Sequence, residues 1–186
     1  MNRIVNSDVK IEPLISNAID DFFEYLTDHV SDNGKNNMPL FLPISKEDLA
    51  LPPKLIDGIR VGQWTAVHEP GWRRVLIASN KKNEIIGHID LKSHEHSYAH
   101  HRAVLGMGVH RAHRKRGLGS LLIETLLDWT KKEAKLEWID LQVLSENTPA
   151  IRLYNKMGFH KVGEIEDMFR IDGNSHNYLM MTKKIL

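Results

Sequence analysis

The sequence predicts an α+β fold: a single mixed, mostly antiparallel central sheet flanked by helices. Three observations predict it. Apolar runs of strand length pair off around turn signals at Asn80-Lys81-Lys82-Asn83-Glu84 and Asp172-Gly173-Asn174, as hairpins do. Residues 104–134 pass from a short apolar strand, through a basic turn bearing glycines, into a run with the spacing of one helical face. The segments as a whole run as antiparallel strands, then strand–helix–strand–helix–strand–strand.

Taken in order, Val9-Lys10-Ile11 predicts a short first strand ended by Pro13. Leu14, Ile15, Ala18, Phe22, Tyr25 and Leu26 recur at helical spacing up to about His29. Residues 31–37 are polar and turn-rich, a loop. Met38-Pro39-Leu40-Phe41-Leu42-Pro43 is apolar but broken by proline, so it is no strand interior. It reads as a loop lying against the body, either a plain hydrophobic anchor or the wall of a substrate pocket. Ser45-Lys46-Glu47-Asp48 resembles a capping-box start. Pro53 sits in the first turn of a helix through about Trp64, with Leu55, Ile56 and Ile59 inward. Residues 74–78 and 85–91 are the two strands of a hairpin, and a loop at 92–99 leads to a strand at 100–110. The helix after the basic turn ends near Lys135, and residues 138–144 form the next strand. Thr148 is expected as an N-cap, with Pro149 at the first helical position. The short helix that follows, to Met157, is stopped by Gly158. Strands beginning at Phe159 and closing with residues 177–182 complete the sheet.

Bulk properties narrow the function. A length of 186 residues supports one domain with a sizeable core, and no repeat or linker divides it. Lys plus Arg total 25 against 24 acidic residues, a net charge of +1, so bulk charge does not mark a polyanion binder. No apolar run is long enough for a membrane helix, and the N-terminus lacks the apolar core of a signal peptide. There is no cysteine, which removes disulfides, thiolate metal sites and a cysteine nucleophile together. These readings point to a cytoplasmic protein that binds neither nucleic acid nor membrane.

The chemistry concentrates at Arg114-Lys115-Arg116-Gly117-Leu118-Gly119. A strand there feeds a turn that opens a helix. The first N–H groups of such a helix have no partner inside it, and the helix dipole adds positive charge. Glycine admits a ligand close to the backbone. This is a phosphate cradle. It is not a P-loop, because Gly119 is followed by Ser120-Leu121 rather than Lys-Ser/Thr. It is not a dinucleotide fingerprint, because Leu122 stands where the third glycine belongs.

With its neighbours, this turn resembles the GNAT superfamily of acyl-CoA N-acyltransferases. The turn fits that family's pyrophosphate motif of Arg or Gln, two residues, Gly, one residue, then Gly or Ala. Leu105-Gly106-Met107-Gly108-Val109 resembles the family's cofactor-facing strand. Asn147-Thr148-Pro149-Ala150-Ile151-Arg152-Leu153-Tyr154-Asn155-Lys156-Met157-Gly158-Phe159 resembles its next element. The likeness covers residues 84–186, an acyl-CoA-binding portion; residues 1–83 would be the variable, substrate-side portion of the same domain. The resemblance implies acetyl-CoA as cosubstrate. Met107, Gly108 and Val109 would pair with the pantetheine arm like an added strand. The backbone of Arg114, Lys115, Arg116, Gly117, Leu118, Gly119 and Ser120 would hold the pyrophosphate, with the side chains of Arg111, Arg114, Lys115 or Arg116 reaching the 3′-phosphate. Asn147 would bond the pantetheine arm, and Tyr154 would act as general acid toward the departing thiolate. Family members often dimerise, so a homodimer falls within the same implication.

The acceptor would be a small-molecule or peptide amine that attacks the thioester directly, since no cysteine is present to carry the acyl group. A base must then take the amine's proton. Residues 103–109 hold no carboxylate, which leaves Asp90, the leading candidate, with Glu95 and His88 as alternatives. Seven of the 11 histidines fall between His88 and His113, without the spacing of a helical metal motif, so no metal is expected. Two other readings compete with the enzyme: a non-catalytic acyl-CoA-binding regulatory module, and nucleic-acid binding through residues 111–116. The near-zero net charge argues against the latter.

Overall fold

The computed structural model describes residues 3–6, 8–35, 38–48 and 50–186. Asn36 and Asn37 of the expected 31–37 loop, and Met1, Asn2 and Ser7 of the polar N-terminus, lie outside them. One sheet takes strands from the whole described chain: β1 (Arg3–Asn6), β2 (Val9–Pro13), β3 (Arg73–Asn80), β4 (Ile85–Ser93), β5 (Arg102–Val109), β6 (Trp138–Leu144), β7 (His160–Ile171) and β8 (Asn174–Lys184). Their spatial order is β1-β2-β3-β4-β5-β6-β8-β7. Every neighbouring pair is antiparallel except β5 and β6, which are parallel. The mixed, mostly antiparallel sheet expected from the sequence is therefore present.

Helices cover both faces. On one lie α1 (Ile19–Val30) and α2 (Pro53–Gly62). Phe22, Tyr25, Leu26 and Val30 of α1 are buried at helical spacing, and the first three pack with Ile59 of α2 on Val75 and Ile77 of β3. On the other face lies α3 (Leu118–Trp129), which buries Leu118, Leu122, Ile123, Leu126 and Trp129 against Ile89, Leu91, Leu105, Ile139 and Leu141. α4 (Thr148–Lys156) adds Tyr154 to that core. β4 is buried on both faces from Ile86 to Leu91, as the central strand of such a sandwich must be.

Four expectations need correction. β1 was not expected; its short polar segment forms a hairpin with β2. α1 starts at Ile19 rather than at Leu14, because the Leu14 N–H still extends the β2–β3 ladder by donating to the Val75 carbonyl at 2.9 Å. Ser45 starts no helix. Its hydroxyl accepts from the Glu47 N–H at 3.1 Å but donates to Asp172 Oδ1 at 2.7 Å, tying the α1–α2 connection to the β7–β8 turn. The cap of α4 is Asn147, not Thr148: its Oδ1 accepts from the Ala150 N–H at 3.3 Å. Asp172 and Gly173 carry φ of 49° and 79°, the left-handed pair that a two-residue hairpin turn requires.

Two glycines of α2 give opposite forecasts. A Cβ at Gly62 would meet the Gly71 carbonyl at 2.6 Å, whereas one at Gly58 would find nothing nearer than Arg73 at 3.9 Å. Gly58→Ala should stabilise the protein by about 0.5–1 kcal/mol through helix propensity. Gly62→Ala should destabilise it by roughly 1–3 kcal/mol through overpacking against rigid backbone. Urea unfolding of the two variants measures both signs.

Candidate active site

β5 and β6 share only three paired positions: Arg102 with Trp138, Ala103 with Ile139 and Val104 with Asp140. Beyond them β5 stays paired with β4 as far as Val109, and β6 stays paired with β8 as far as Leu144. The two strands therefore diverge and leave a gap. The alternation of strand hydrogen bonds shows what lines it. The His101 carbonyl accepts from the β6 side, from the Glu137 N–H at 2.9 Å, whereas the His110 N–H donates toward β4, to the Ile86 carbonyl at 3.0 Å. Odd-numbered backbone groups of β5 thus turn toward β6, so those of Leu105, Met107 and Val109 face the gap. Their side chains pack into the α3 core.

The gap leads to the basic turn. Lys115 and Gly117 both have positive φ, 61° and 83°. Gly117 caps α3, and the first backbone bond of the helix is Leu121 N–H to the Gly117 carbonyl, at 3.1 Å. The N–H groups of Leu118, Gly119 and Ser120 consequently have no helical acceptor. A Cβ on Gly117 would touch nothing within 4 Å, so open space lies against the turn there. Gly119 differs: a Cβ would meet Leu153 at 2.8 Å, so this glycine lets α4 pack on α3.

The four basic side chains divide. Arg111 is held by Asp28 in a fork of 2.9 and 2.8 Å. Arg114 turns inward. Its Nε donates to the Val109 carbonyl at 3.0 Å, its Nη1 lies 2.6 Å from Asp32 Oδ2, and its guanidinium sits 5.8 Å from the Phe41 ring centre. The Asp32 contact is a pairing of charges, because Oδ2 makes no aligned hydrogen bond. Lys115 and Arg116 are exposed and have no ion pair among the described residues. These two are the side chains free to meet an anion.

Asn147 caps α4, and Tyr154 on that helix joins the core on the α3 side of the sheet. Asn147 is buried, with Oδ1 occupied by the helix cap. Tyr154 is buried beside Phe159, and burial raises its hydroxyl above the ordinary phenol range. That hydroxyl has no protein partner among the described residues. It is also absent from the fully enclosed polar atoms lacking a partner, namely His29 Nδ1, Asp32 Oδ2 and His94 Nδ1, so it keeps contact with open space.

The even-numbered face of β5 looks the other way, toward α1 and α2. A Cβ on Gly106 would meet Asp90 Oδ1 at 2.7 Å, and one on Gly108 would meet His29 Nε2 at 2.4 Å and His88 Cε1 at 2.6 Å. Asp90 is buried and paired with Arg73, Oδ2 to Nε at 2.7 Å. The Tyr25 hydroxyl donates to the Gly108 carbonyl at 3.3 Å and lies 3.1 Å from His88 Nδ1. His29 stacks on Tyr25 and meets the Phe41 ring at a tilt of 33°, with ring centres 5.9 and 4.7 Å away. Burial lowers both His29 and His88 from 6.5 to about 3. Sequence reasoning gave no site role to Tyr25, His29 or Asp32, and named Phe41 only as part of the loop at residues 38–43. The one available signal was that Tyr25, His29 and Asp32 follow one another on a single helical face.

Glu95 is exposed on the loop after β4. The histidines of that loop flank a recess of about 70 Å³ with His68 and Trp72. Among the described residues, no three His, Cys, Asp or Glu side chains converge as a metal ion would require. The proline-broken loop is the hydrophobic anchor weighed for it, and it also borders a cavity. Leu40 is anchored against Leu144 and Ile171, and with Met38 and Pro39 it lines a cavity of about 220 Å³. No helix among the described residues is long and apolar enough to cross a membrane.

The sequence profile of the acetyltransferase (GNAT) family matches residues 46–159, so the chain belongs to that family. It is therefore an acyltransferase of the acetyl-CoA-dependent class. Among curated relatives, the spermidine N(1)-acetyltransferase of Vibrio cholerae is 29% identical over 121 residues, covering 63% of this chain and 68% of that protein. The L-amino acid N-acetyltransferase AaaT of Escherichia coli is 28% identical over 94 residues, covering 50% of this chain and 57% of the relative. Among solved structures, a GNAT-family acetyltransferase from Streptococcus pneumoniae superposes with a TM-score of 0.79 at 20% identity, covering 95% of this chain and 99% of that one. The spermidine N-acetyltransferase of Vibrio cholerae, in complex with CoA and spermine, superposes with a TM-score of 0.71 at 20% identity, covering 97% of each chain. At such identities the structures establish the fold.

The buried histidines predict a pH dependence of stability. The fold holds His29 and His88 neutral down to about pH 3, whereas the unfolded chain protonates them near 6.5. The unfolded state thus binds more protons within that window, so stability falls as pH drops below 6.5. Each imidazole should cost on the order of 2 kcal/mol by pH 5. Thermal melts between pH 7.5 and 5 should show the slope. In His29→Phe, which keeps a ring on Phe41, the slope should be about half as steep.

Proposed function

We propose that this chain transfers the acetyl group of acetyl-CoA to a primary amine, by direct attack of the amine on the thioester while both substrates are bound. The observation that carries the reading is the gap beyond Val104 and Asp140, lined by the backbone edge of Met107 and Val109, of which Arg114 takes only the Val109 carbonyl. It leads at one end to the unpaired N–H groups of Leu118, Gly119 and Ser120. Tyr154, with an unpartnered hydroxyl, belongs to the core on the same side.

The roles follow from those groups. Met107 and Val109 hold the pantetheine arm through their backbone, with Gly108 between them fixing the strand to α1. The turn from Arg114 to Ser120 binds the pyrophosphate through N–H groups and the dipole of α3, while Lys115 and Arg116 supply side-chain charge. Asn147 keeps its Nδ2 for the pantetheine amides, since Oδ1 is used by the cap. In the reaction the N–C bond forms and the C–S bond breaks. Tyr154 gives its proton to the leaving sulfur, and its raised pKa keeps the phenol protonated until that charge develops. Asp90, the base suggested by sequence, is committed to Arg73. In this reading it orients that arginine, and the amine loses its proton to solvent on the α1 side.

Residues 84–186 form the acyl-CoA-binding portion, and residues 1–83 supply the acceptor wall, including the cavity beside Leu40. The relatives named for spermidine and for L-amino acids make a small amine the first acceptor class to screen. The absence of cysteine suits a reducing, cytoplasmic setting. A non-catalytic acyl-CoA-binding module is the second reading, favoured only by the commitment of Asp90 to Arg73.

Acetyl-CoA at about 100 times its Kd should stabilise the protein by about 2.7 kcal/mol. Tyr154→Phe should bind acetyl-CoA normally but lose about 100-fold or more in kcat, measured by thiol release against an amine panel. Gly117→Val, which forces a β-branched residue to positive φ in the cradle, should weaken acetyl-CoA binding at least about tenfold. A wild-type protein that acetylates no amine while binding acetyl-CoA would favour the regulatory module.

A further inference from the structure

Arg114 opens the phosphate turn, yet its side chain points away from the turn's open side. It makes three contacts in the opposite direction: the Val109 carbonyl at 3.0 Å, Asp32 at 2.6 Å and the ring of Phe41 at 5.8 Å. Each contact belongs to a different part of the chain. Val109 ends the strand whose edge lines the gap. Asp32 follows α1 and is 4% exposed on its side chain. Phe41 lies in the loop that leads past Leu40, a wall of the 220 Å³ cavity.

A second, independent set of contacts joins the same two regions. The Phe41 ring packs at a tilt against His29, centres 4.7 Å apart, and His29 Nε2 fills the place where Gly108 would carry a side chain. Asn33 next to Asp32 then fixes the backbone of the loop. Its Oδ1 accepts from the N–H groups of Phe41 and Leu42 at 2.8 and 3.0 Å, and its Nδ2 donates to the Leu42 carbonyl at 3.1 Å. Asn33 is fully buried. The loop is therefore clamped to the acyl-CoA cradle from two sides, with Phe41 shared between the clamps.

We propose that Arg114 is a positioning residue for the acceptor wall, and that the two substrates bind with positive coupling through the Arg114–Phe41–His29 junction. The proposal rests on the turn being the acyl-CoA cradle. Occupancy of the cradle backbone fixes residues 109–114. The guanidinium then holds Phe41, and the loop that Asn33 carries with it, in the arrangement that receives the acceptor. By linkage, acceptor binding tightens acetyl-CoA by the same factor. A guanidinium suits this junction because its plane lies over a ring while its edge meets a carbonyl and a carboxylate, which a lysine cannot do at once.

The test uses the full chain and acetyl-CoA alone. Acetyl-CoA affinity is measured by calorimetry, and amide hydrogen exchange is followed across residues 38–44 with and without acetyl-CoA. In the wild type, exchange at Phe41 and Leu42 should slow at least about 5-fold on binding, the lower end of ordinary coupling. Arg114→Gln strands the buried Asp32 and threatens the fold. Phe41→Leu is therefore the main variant, because it leaves the Arg114–Asp32 pair intact. It should bind acetyl-CoA within about 3-fold of the wild type and lose the slowing at positions 41 and 42. Arg114→Lys, which keeps the charge, should retain less than half of the slowing. If the wild type binds acetyl-CoA and the loop amides do not slow, or if Phe41→Leu keeps the full response, the coupling is refuted. If the wild type does not bind acetyl-CoA, the cradle reading itself fails.

Discussion

The three-pair ladder between β5 and β6 is the constraint on which the rest depends. A parallel pair that continued would satisfy its own backbone groups and leave nothing for a ligand. Here both strands stay fully engaged on their outer sides, β5 with β4 and β6 with β8, so neither can turn to close the gap. Met107 and Leu153 pack near one another at Gly119, and Tyr154 joins the same core, which keeps the split filled on the α3 and α4 side. The exposed backbone edge of β5 is therefore a product of packing elsewhere. Unpaired N–H and C=O groups at such an edge must find water or an extended partner, and a chain of amides supplies one.

Electrostatics join that edge to the helix on the opposite face. The C-terminal end of α1 carries Asp28 and is followed by Asp32, a poor arrangement for a helix whose dipole is already negative there. Arg111 and Arg114, from the segment after β5, neutralise the two carboxylates. Coulombic contact with Arg111 and His110 also helps hold Asp28 below its ordinary pKa, after the hydrogen bonds from Arg111 itself. The basic run that looked in sequence like a single anion trap is thus half structural. Two of its members balance α1, and Lys115 and Arg116 stay exposed beside the turn.

What was legible in the sequence was what local spacing encodes. The helical face of Leu118, Leu122 and Leu126, the strand at residues 138–144 and the left-handed turn at Asp172-Gly173 all depend on residues close in sequence. Errors arose where a distant group changed the outcome. Ser45 had the look of a cap, but the carboxylate it bonds is 127 residues away. Asn147 rather than Thr148 caps α4 because the turn before it brings the longer side chain to the Ala150 N–H. The pairing of Asp90 with Arg73 was likewise out of sight, because Arg73 lies on the neighbouring strand, beyond the reach of any periodicity. Tyr25 and His29 were visible as members of a helix face, but that this face meets Gly108 follows only from the sheet order.

The glycines show why motif and structure complement each other here. Gly106 and Gly108 lie in the strand whose edge would hold the cofactor, and sequence alone assigns them to it. Their missing side chains instead make room on the α1 face, for Asp90 at one and for His29 and His88 at the other. Gly117 and Gly119, two residues apart in one motif, divide the same way: the first faces open space with a positive φ, and the second admits Leu153. In both pairs, close approach of protein to protein at one glycine or both sets the position of the backbone. The backbone of this edge is held in place by side chains from elsewhere in the chain: Tyr25 on the Gly108 carbonyl, Arg114 on the Val109 carbonyl and Leu153 on the first turn of α3. Main-chain groups have no side chain of their own to exchange, so changes at these three positions would act on the proposed site by moving the backbone that forms it.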